Sequence, residues 1–169
     1  MSISLVKNIV VAVNGSQSSI HAAMYGIILA KQLKLNLKFV YVVDTATIKR
    51  LTMGHFLVAD ESEMYEKSLT SDGEKYIDYV IELAEAKGLK TKGEIRKGSV
   101  CLEVVNCVKE TEAELLILGG EKGVSAKSYS WENTDNSLSL ANREIIANAP
   151  CSVIVVKDPD IEIQYKHLQ

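Results

Sequence analysis

The stretch Ile9-Val10-Val11-Ala12-Val13-Asn14-Gly15-Ser16-Gln17-Ser18-Ser19 decides the architecture. Its first five residues are apolar without a break and mostly β-branched. A strand with one wet face would alternate, so this one is buried on both faces, as in a parallel sheet covered by helices. Asn14 and Gly15 are turn formers, and the serines behind them can cap a helix. That helix is legible from Ser18 to Leu33, where Ile20, Ala23, Met24, Ile27 and Ala30 recur at the three-and-four spacing of one face. A buried strand, a tight turn and an amphipathic helix make the first half of a βαβ unit.

Further along the chain the same alternation repeats. Leu37–Val43, broken only at Lys38, Leu115–Leu118 and Val153–Val156 are similar short apolar runs, and Leu89–Ile95 is a weaker strand. The long stretch from Glu61 to Lys87 places Tyr76, Val80, Leu83 and Ala84 on one stripe and stops at Gly88, a natural left-handed cap. Ser99 can cap a helix whose buried stripe is Cys101, Val104, Val105 and Val108, and a last helix over Leu140–Asn148 ends against Pro150. Five strands alternating with helices, joined by right-handed crossovers, predict an α/β fold with a doubly wound five-stranded parallel sheet and helices on both faces. In such a sheet ligands bind beyond the carboxyl ends of the strands, where the winding reverses.

Composition narrows the function classes. The 169 residues are 47% hydrophobic and 24% charged, and 19 Lys and Arg against 22 Asp and Glu leave a net charge of −3, with no single-sign block to seek nucleic acid or anionic lipid. A chain of this length buries roughly 70% of its unfolded surface, enough for a core without disulfides. Ten glycines and two prolines leave little room for a linker, so one domain over residues 1–157 with a tail over 158–169 is expected. The amino terminus lacks the pattern of a secretory signal and no run could span a bilayer, which points to the cytoplasm. The three cysteines, Cys101, Cys107 and Cys151, lie in apolar contexts without metal-ligand spacing and read as reduced structural thiols.

Two loops could carry a ligand. Asn14-Gly15-Ser16 leads into a helix amino terminus, where exposed N–H groups and the helix dipole attract anions. Gly119-Gly120-Glu121-Lys122-Gly123, with a serine-rich stretch behind it, allows close backbone approach to phosphate. Each has a plainer structural reading: Gly15 permits a turn, a serine caps a helix, and the second segment is a surface loop.

Four blocks now carry a resemblance: Ile9-Val-Val-Ala-Val-Asn-Gly-Ser16, Val40-Tyr-Val-Val-Asp44, Leu115-Leu-Ile-Leu-Gly-Gly120 and Ala149-Pro-Cys-Ser-Val-Ile-Val-Val-Lys157. In that order, from about residue 5 to residue 157, they resemble the universal stress protein family. The resemblance implies the strand order 3-2-1-4-5 of an adenine nucleotide alpha hydrolase-like, Rossmann-like sheet, a homodimer paired through the last strand, and either ATP-binding or non-binding character. It places a nucleotide site on Asn14, Gly15, Ser16, the backbone of Val43, Gly119, Gly120, Gly123 and Ser139.

The chain departs from the family pattern at two points. Asn14 stands where ATP-binding members have Asp, so an amide replaces the carboxylate that would hold a ribose or a metal. The phosphate loop pattern is Gly, two residues, Gly, nine residues, then Gly with Ser or Thr. Gly120 and Gly123 satisfy its start, but its end falls on Asn133-Thr134 or on Ser139-Leu140, and neither supplies the glycine. A Cβ there crowds a phosphate. The expectation is a non-enzymatic, dimeric binding or signalling module of the stress response, with an altered adenine nucleotide site or another small anionic ligand in place of ATP.

Two alternatives stand beside it. Asn14–Ser19 faintly resembles the Ser-Gly-Gly-x-Asp-Ser loop of ATP pyrophosphatases, which would make the chain an ATP-dependent enzyme. A purely structural module could instead meet a protein partner through Leu51–Asp60, where Met53, Phe56 and Leu57 form a lid or partner surface, and through the tail. The tail Ile161-Glu-Ile-Gln-Tyr165 alternates like an edge strand, and His21 lies off the apolar stripe of its helix and reads as exposed. Asp60, Glu61 and Glu63 are explained by the helix dipole better than by a metal. Trp131, the sole tryptophan, reads as an anchor for its loop or as a stacking partner for a base.

Overall fold

The computed structural model describes residues 4–120 and 138–169. Five strands, β1 (Asn8–Val13), β2 (Asn36–Val43), β3 (Lys92–Lys97), β4 (Leu115–Gly119) and β5 (Ser152–Val156), form one sheet in the order β3-β2-β1-β4-β5. All four pairings are parallel, with Val10 opposite Lys38 and Leu116, and Leu116 opposite Val153. β1, whose apolar run Ile9–Val13 is unbroken, sits at the centre, and Ile9, Val10 and Val11 are fully buried. The least apolar strand, Lys92-Gly-Glu-Ile-Arg-Lys97, takes one edge, where charge is cheapest.

Helices α1 (Gln17–Leu33) and α3 (Ala59–Glu85) cover one face of the sheet, and α4 (Val100–Thr111) and α5 (Leu140–Asn148) cover the other. The first face carries the larger core, with Phe39, Ile27, Ile77 and Val80 at its centre; the second is built on Val40, Val104, Leu116 and Ile145. The long helix ends at Glu85, and the turn that closes it uses Gly88, which takes a left-handed φ of 77° while the Leu89 N–H returns to the Ala84 carbonyl at 3.0 Å. That turn uses Leu89 to close the helix, so β3 starts at Lys92 and runs to Lys97, not over Leu89–Ile95.

The connection after β2 takes a form the sequence did not specify, and two further expectations, on the tail and on His21, are corrected. The connection after β2 is a helix, α2 (Thr45–Met53), started by Asp44, whose carboxylate accepts from the Thr47 N–H at 3.0 Å and the Thr47 hydroxyl at 2.7 Å. The tail is not a strand but helix α6 (Ile161–His167), because Ile161 and Tyr165, one helical turn apart, both insert into the core against α1. The Tyr165 hydroxyl donates to the Leu83 carbonyl at 2.7 Å. His21 is 8% exposed, because α6 covers it, and its Nε2 lies 3.1 Å from a Glu162 carboxylate oxygen. The Gln17 amide nitrogen donates to that same oxygen at 2.8 Å and lies 3.2 Å from the His21 Nε2, so the three side chains form one cluster between α1 and α6.

Among the described residues no helix is long and apolar enough to cross a membrane, and no group of His, Cys, Asp or Glu could hold a metal. Asp60 and Glu61 lie in the first turn of α3, and Glu63 pairs with Lys67 at 3.1 Å. All three cysteines are free thiols, with Cys107 buried and Cys101 and Cys151 partly so. Trp131 lies outside the described residues.

Candidate functional site

The winding reverses between β1 and β4. The crossover after β1 carries α1 to one face, and the crossover into β4 arrives from α4 on the other, so a crevice opens beyond their carboxyl ends. Its first wall is the turn after β1. The Asn14 Oδ1 accepts from the Ser16 N–H at 3.0 Å and from the Ser16 hydroxyl at 2.6 Å. Ser16 caps α1 by accepting from the Ser19 N–H at 3.2 Å, and the Ser19 hydroxyl donates to the Ser16 carbonyl at 2.9 Å while accepting from the Asn14 N–H at 3.2 Å. Gly15, between them, has a φ of 81°. The turn is closed on itself, and its shape does not depend on a ligand.

The second wall is the end of β4. A Cβ at Gly119 would lie 2.5 Å from the carbonyl carbon and oxygen of Ser18, so only glycine lets the first turn of α1 rest on this strand end. The Gly119 carbonyl accepts from the Asn142 amide at 2.9 Å, and Ser139 caps α5 by accepting from the Asn142 N–H at 3.1 Å. Asn142 therefore ties the start of α5 to the end of β4, and two capped helix amino termini face the same crevice.

Between these walls lies a cleft of about 210 Å³. Its inner part is apolar, walled by Val40 and Val42 of β2, Val100 and Val104 of α4, Leu118 and Ile145. Its rim is polar, formed by Asn14, Ser18, Ser139 and Asn142. Among the described lining residues there is no charged side chain. A slot of this kind takes a flat apolar group, and its rim offers hydroxyl, amide and helix-end donors to a polar or anionic one.

Of the residues singled out in the sequence, Asn14, Gly119 and Ser139 are brought together in this cleft. Gly15 is turned the other way, against Tyr76 of α3, which stacks in turn on Tyr41 at 6.3 Å between ring centroids. Ser16 and Gly120 line a neighbouring hollow of about 340 Å³ on the α1 side, together with Gln17, His21 and Lys157. Val43 is buried in the core on the α1 face, its carbonyl accepting from the Gly98 N–H at 3.1 Å, and its neighbour Val42 lines the cleft instead. Gly123 lies outside the described residues. Sequence reasoning missed Asn142, although its position three residues after a capping serine is a recognisable signal for a side chain at a helix entrance.

The strongest electrostatic feature stands away from the cleft. Arg96 on β3 meets Glu94 at 2.6 Å, Glu103 at 3.5 Å and also Glu110, and Glu94 meets Lys38 at 3.2 Å. Hydrogen bonds to Glu110 and Glu94 hold the Arg96 guanidinium more firmly charged than usual. Burial pushes the Glu94 carboxyl up, but hydrogen bonds from Arg96, Cys107 and Lys38 outweigh it and leave its pKa lowered. Burial, with the Glu94 carboxylate beside it, pushes the Cys107 thiol up to about 11, and burial also raises Cys101 and Cys151. These thiols are poor nucleophiles, as the structural reading requires.

Fold and site together define an open, doubly wound α/β protein with a preformed cleft at its switch point. The chain belongs to the universal stress protein family, whose model matches residues 6–157. It is 30% identical over 161 residues to a universal stress protein of Methanocaldococcus jannaschii, covering 94% of this chain and 86% of that one. Its fold is shared by a universal stress family protein of Burkholderia pseudomallei, with a TM-score of 0.67 at 18% identity, over 93% of this chain and 100% of the other. It is shared also by an Arabidopsis thaliana family member with AMP bound, with a TM-score of 0.60 at 14% identity, over 91% and 94%. A universal stress protein in complex with cAMP matches with a TM-score of 0.59 at 17% identity, over 91% and 99%.

Proposed function

We propose that the protein is a non-enzymatic nucleotide-binding module of the stress response, acting as a homodimer in the cytoplasm, with an adenine nucleotide as its ligand. One observation carries this reading: an apolar slot between Val42 and Val104 opens onto two helix amino termini capped by Ser16 and Ser139. The base fills the slot, and the phosphates meet N–H groups and hydroxyls at the helix ends. The family members solved with AMP and with cAMP support an adenine ligand. The described lining holds no carboxylate, histidine or cysteine, which favours retention of the nucleotide over its turnover.

The dimer is supported by the contrast between the two sheet edges. β3 presents Lys92, Glu94, Arg96 and Lys97, whereas β5 presents Val153, Ile154 and Val155 at half-buried positions, with one side of the strand unpaired among the described residues. Signalling also needs a surface for a further protein, and the corner between α2 and α3 exposes Met53, Phe56, Val58 and Met64.

Calorimetry on protein stripped of bound ligand, titrated with ATP, ADP and AMP with and without magnesium, tests the ligand. Saturable heat with at least one of them, without release of ADP, phosphate or pyrophosphate, is expected. No heat at millimolar concentration overturns the nucleotide reading, and turnover overturns the non-enzymatic one.

A further inference from the structure

The other end of the sheet carries a hollow of about 500 Å³, at the amino ends of β1, β2 and β3. Asn8, Asn36, Lys38 and Lys92 form its floor, Lys90 stands just before β3, and Glu110 and Thr111 at the end of α4 form a wall. Strand register brings the floor together. Asn8 lies opposite Asn36 and Lys38 opposite Lys92, and the Asn36 amide nitrogen donates to the Asn8 Oδ1 at 3.0 Å. Along β1 and β2 these residues alternate in step with Val10 and Val40, which belong to the core under α4 and α5, so the whole floor looks to that side. The helix α4 ends at Thr111 and leaves this corner open.

The charges of the hollow do not balance. Two lysines directly opposite each other on one face of a sheet repel and weaken the strand pair. Lys38 turns to Glu94 at 3.2 Å, and the Glu110 carboxylate is held by Arg96. Among the described residues no carboxylate lies within ion-pair reach of Lys90 or Lys92. Three ammonium groups against one carboxylate leave the lining with two positive charges. The Thr111 hydroxyl is buried in the same wall without a hydrogen-bond partner, a donor that the fold leaves unused. We propose that this hollow is a binding site for a small dianion, two phosphate or carboxylate groups on a short frame, held by Lys90 and Lys92 with Lys38 beside them. Each ammonium gains a charge-assisted hydrogen bond, and a ligand bridging β2 and β3 turns the Lys38–Lys92 repulsion into a shared attraction. The net charge of −3 disfavours a long polyanion, and the volume suits a small molecule. The site is separate from the nucleotide cleft, since one is entered from the amino ends of the strands and the other from their carboxyl ends.

The test is calorimetric titration at low salt of the full chain with succinate, phosphoglycolate and pyrophosphate, with acetate as the single-anion control. At least one of the three probes is expected to bind once per chain and at least about 10-fold more tightly than acetate, the gain from a second charge-assisted contact. In Lys90→Gln with Lys92→Gln that probe weakens by about 10-fold or more. Lys49→Gln with Lys75→Gln removes the same charge from exposed positions on α2 and α3, and there the affinity stays within about 2-fold. Circular dichroism checks that both variants are folded, and since Lys90 and Lys92 are exposed, neither variant should lose melting temperature. The order of succinate, phosphoglycolate and pyrophosphate names the anionic groups. Equal weakening in the two variants would reduce the effect to diffuse charge and overturn the site. So would an affinity unchanged by Lys90→Gln with Lys92→Gln, which would move the probe to the helix ends of the cleft, or no binding of any probe at about 10 mM. Each of these outcomes leaves the nucleotide reading standing, because that reading rests on the cleft.

Discussion

Tyr76 lies so close to Gly15 that a β-carbon on the glycine would stand 2.2 Å from its Cε2. The ring belongs to α3, and it props from behind the turn whose other side faces the cleft. Gly15→Ala adds this clash to the cost of a left-handed φ and should destabilise the protein by about 2–4 kcal/mol. In Gly15→Ala with Tyr76→Ala the clash is gone, so denaturant unfolding of the double variant should show a loss smaller than the sum of the two single ones. Strict additivity would mean that the ring does not support the turn.

Gly119 meets backbone, which cannot rotate away. Gly119→Ala must push the first turn of α1 off the end of β4, and it should cost about 3 kcal/mol, the upper part of the range for overpacking. Because the displaced N–H groups border the cleft, ligand affinity should fall with stability. A chain whose melting temperature and ligand affinity are both unchanged would contradict the geometry.

Helix α6 is part of the core. Deleting residues 158–169 exposes the surface that Ile161 and Tyr165 cover and removes Glu162 from His21. Two buried side chains, offset by the ordering of a short helix, predict a loss of roughly 2–4 kcal/mol. Chemical denaturation of the shortened chain measures it, and an unchanged midpoint would make the helix an ornament.

Thiol labelling separates the cysteines. With its pKa near 11, about one Cys107 in a thousand is thiolate at pH 8, and the side chain is buried as well. Iodoacetamide should therefore modify Cys107 only after unfolding, with Cys101 and Cys151 reacting first but more slowly than free cysteine. Mass spectrometry of the alkylated peptides reads the order directly.

The β5 edge gives the last prediction. Val155→Lys places a charge at a half-buried edge position. Sedimentation should show the native chain at twice its monomer mass and the variant at one, with circular dichroism confirming that the variant is folded. A variant that still pairs would move the interface elsewhere.

What was legible in the sequence follows from how local each signal is. The Ile9–Val13 strand and the Leu140–Asn148 helix are specified within a few residues of themselves, and the structure places them where the periodicity does. Ile161-Glu-Ile-Gln-Tyr165 is too short for its period to decide: residues at i and i+4 share a face in a helix, while i, i+2 and i+4 do so in a strand. The choice is made by α1, which accepts two side chains and no hydrogen-bonded edge. His21 misled for the same reason, since the helix that buries it lies 141 residues further along the chain. In the cleft, turn and cap residues were visible, but the role of Asn142 and the substitution of Val42 for Val43 on the lining depend on which way each strand faces. A single apolar run does not state that.

The two edges of the sheet also set how far association can go. A pair joined through β5 about a two-fold axis consumes both apolar edges and leaves outward only the two copies of β3, each carrying Lys92, Glu94, Arg96 and Lys97. Charge on those outer edges discourages further strand addition, so a pair of this kind would favour a closed product over a fibre without a third element to cover the rim.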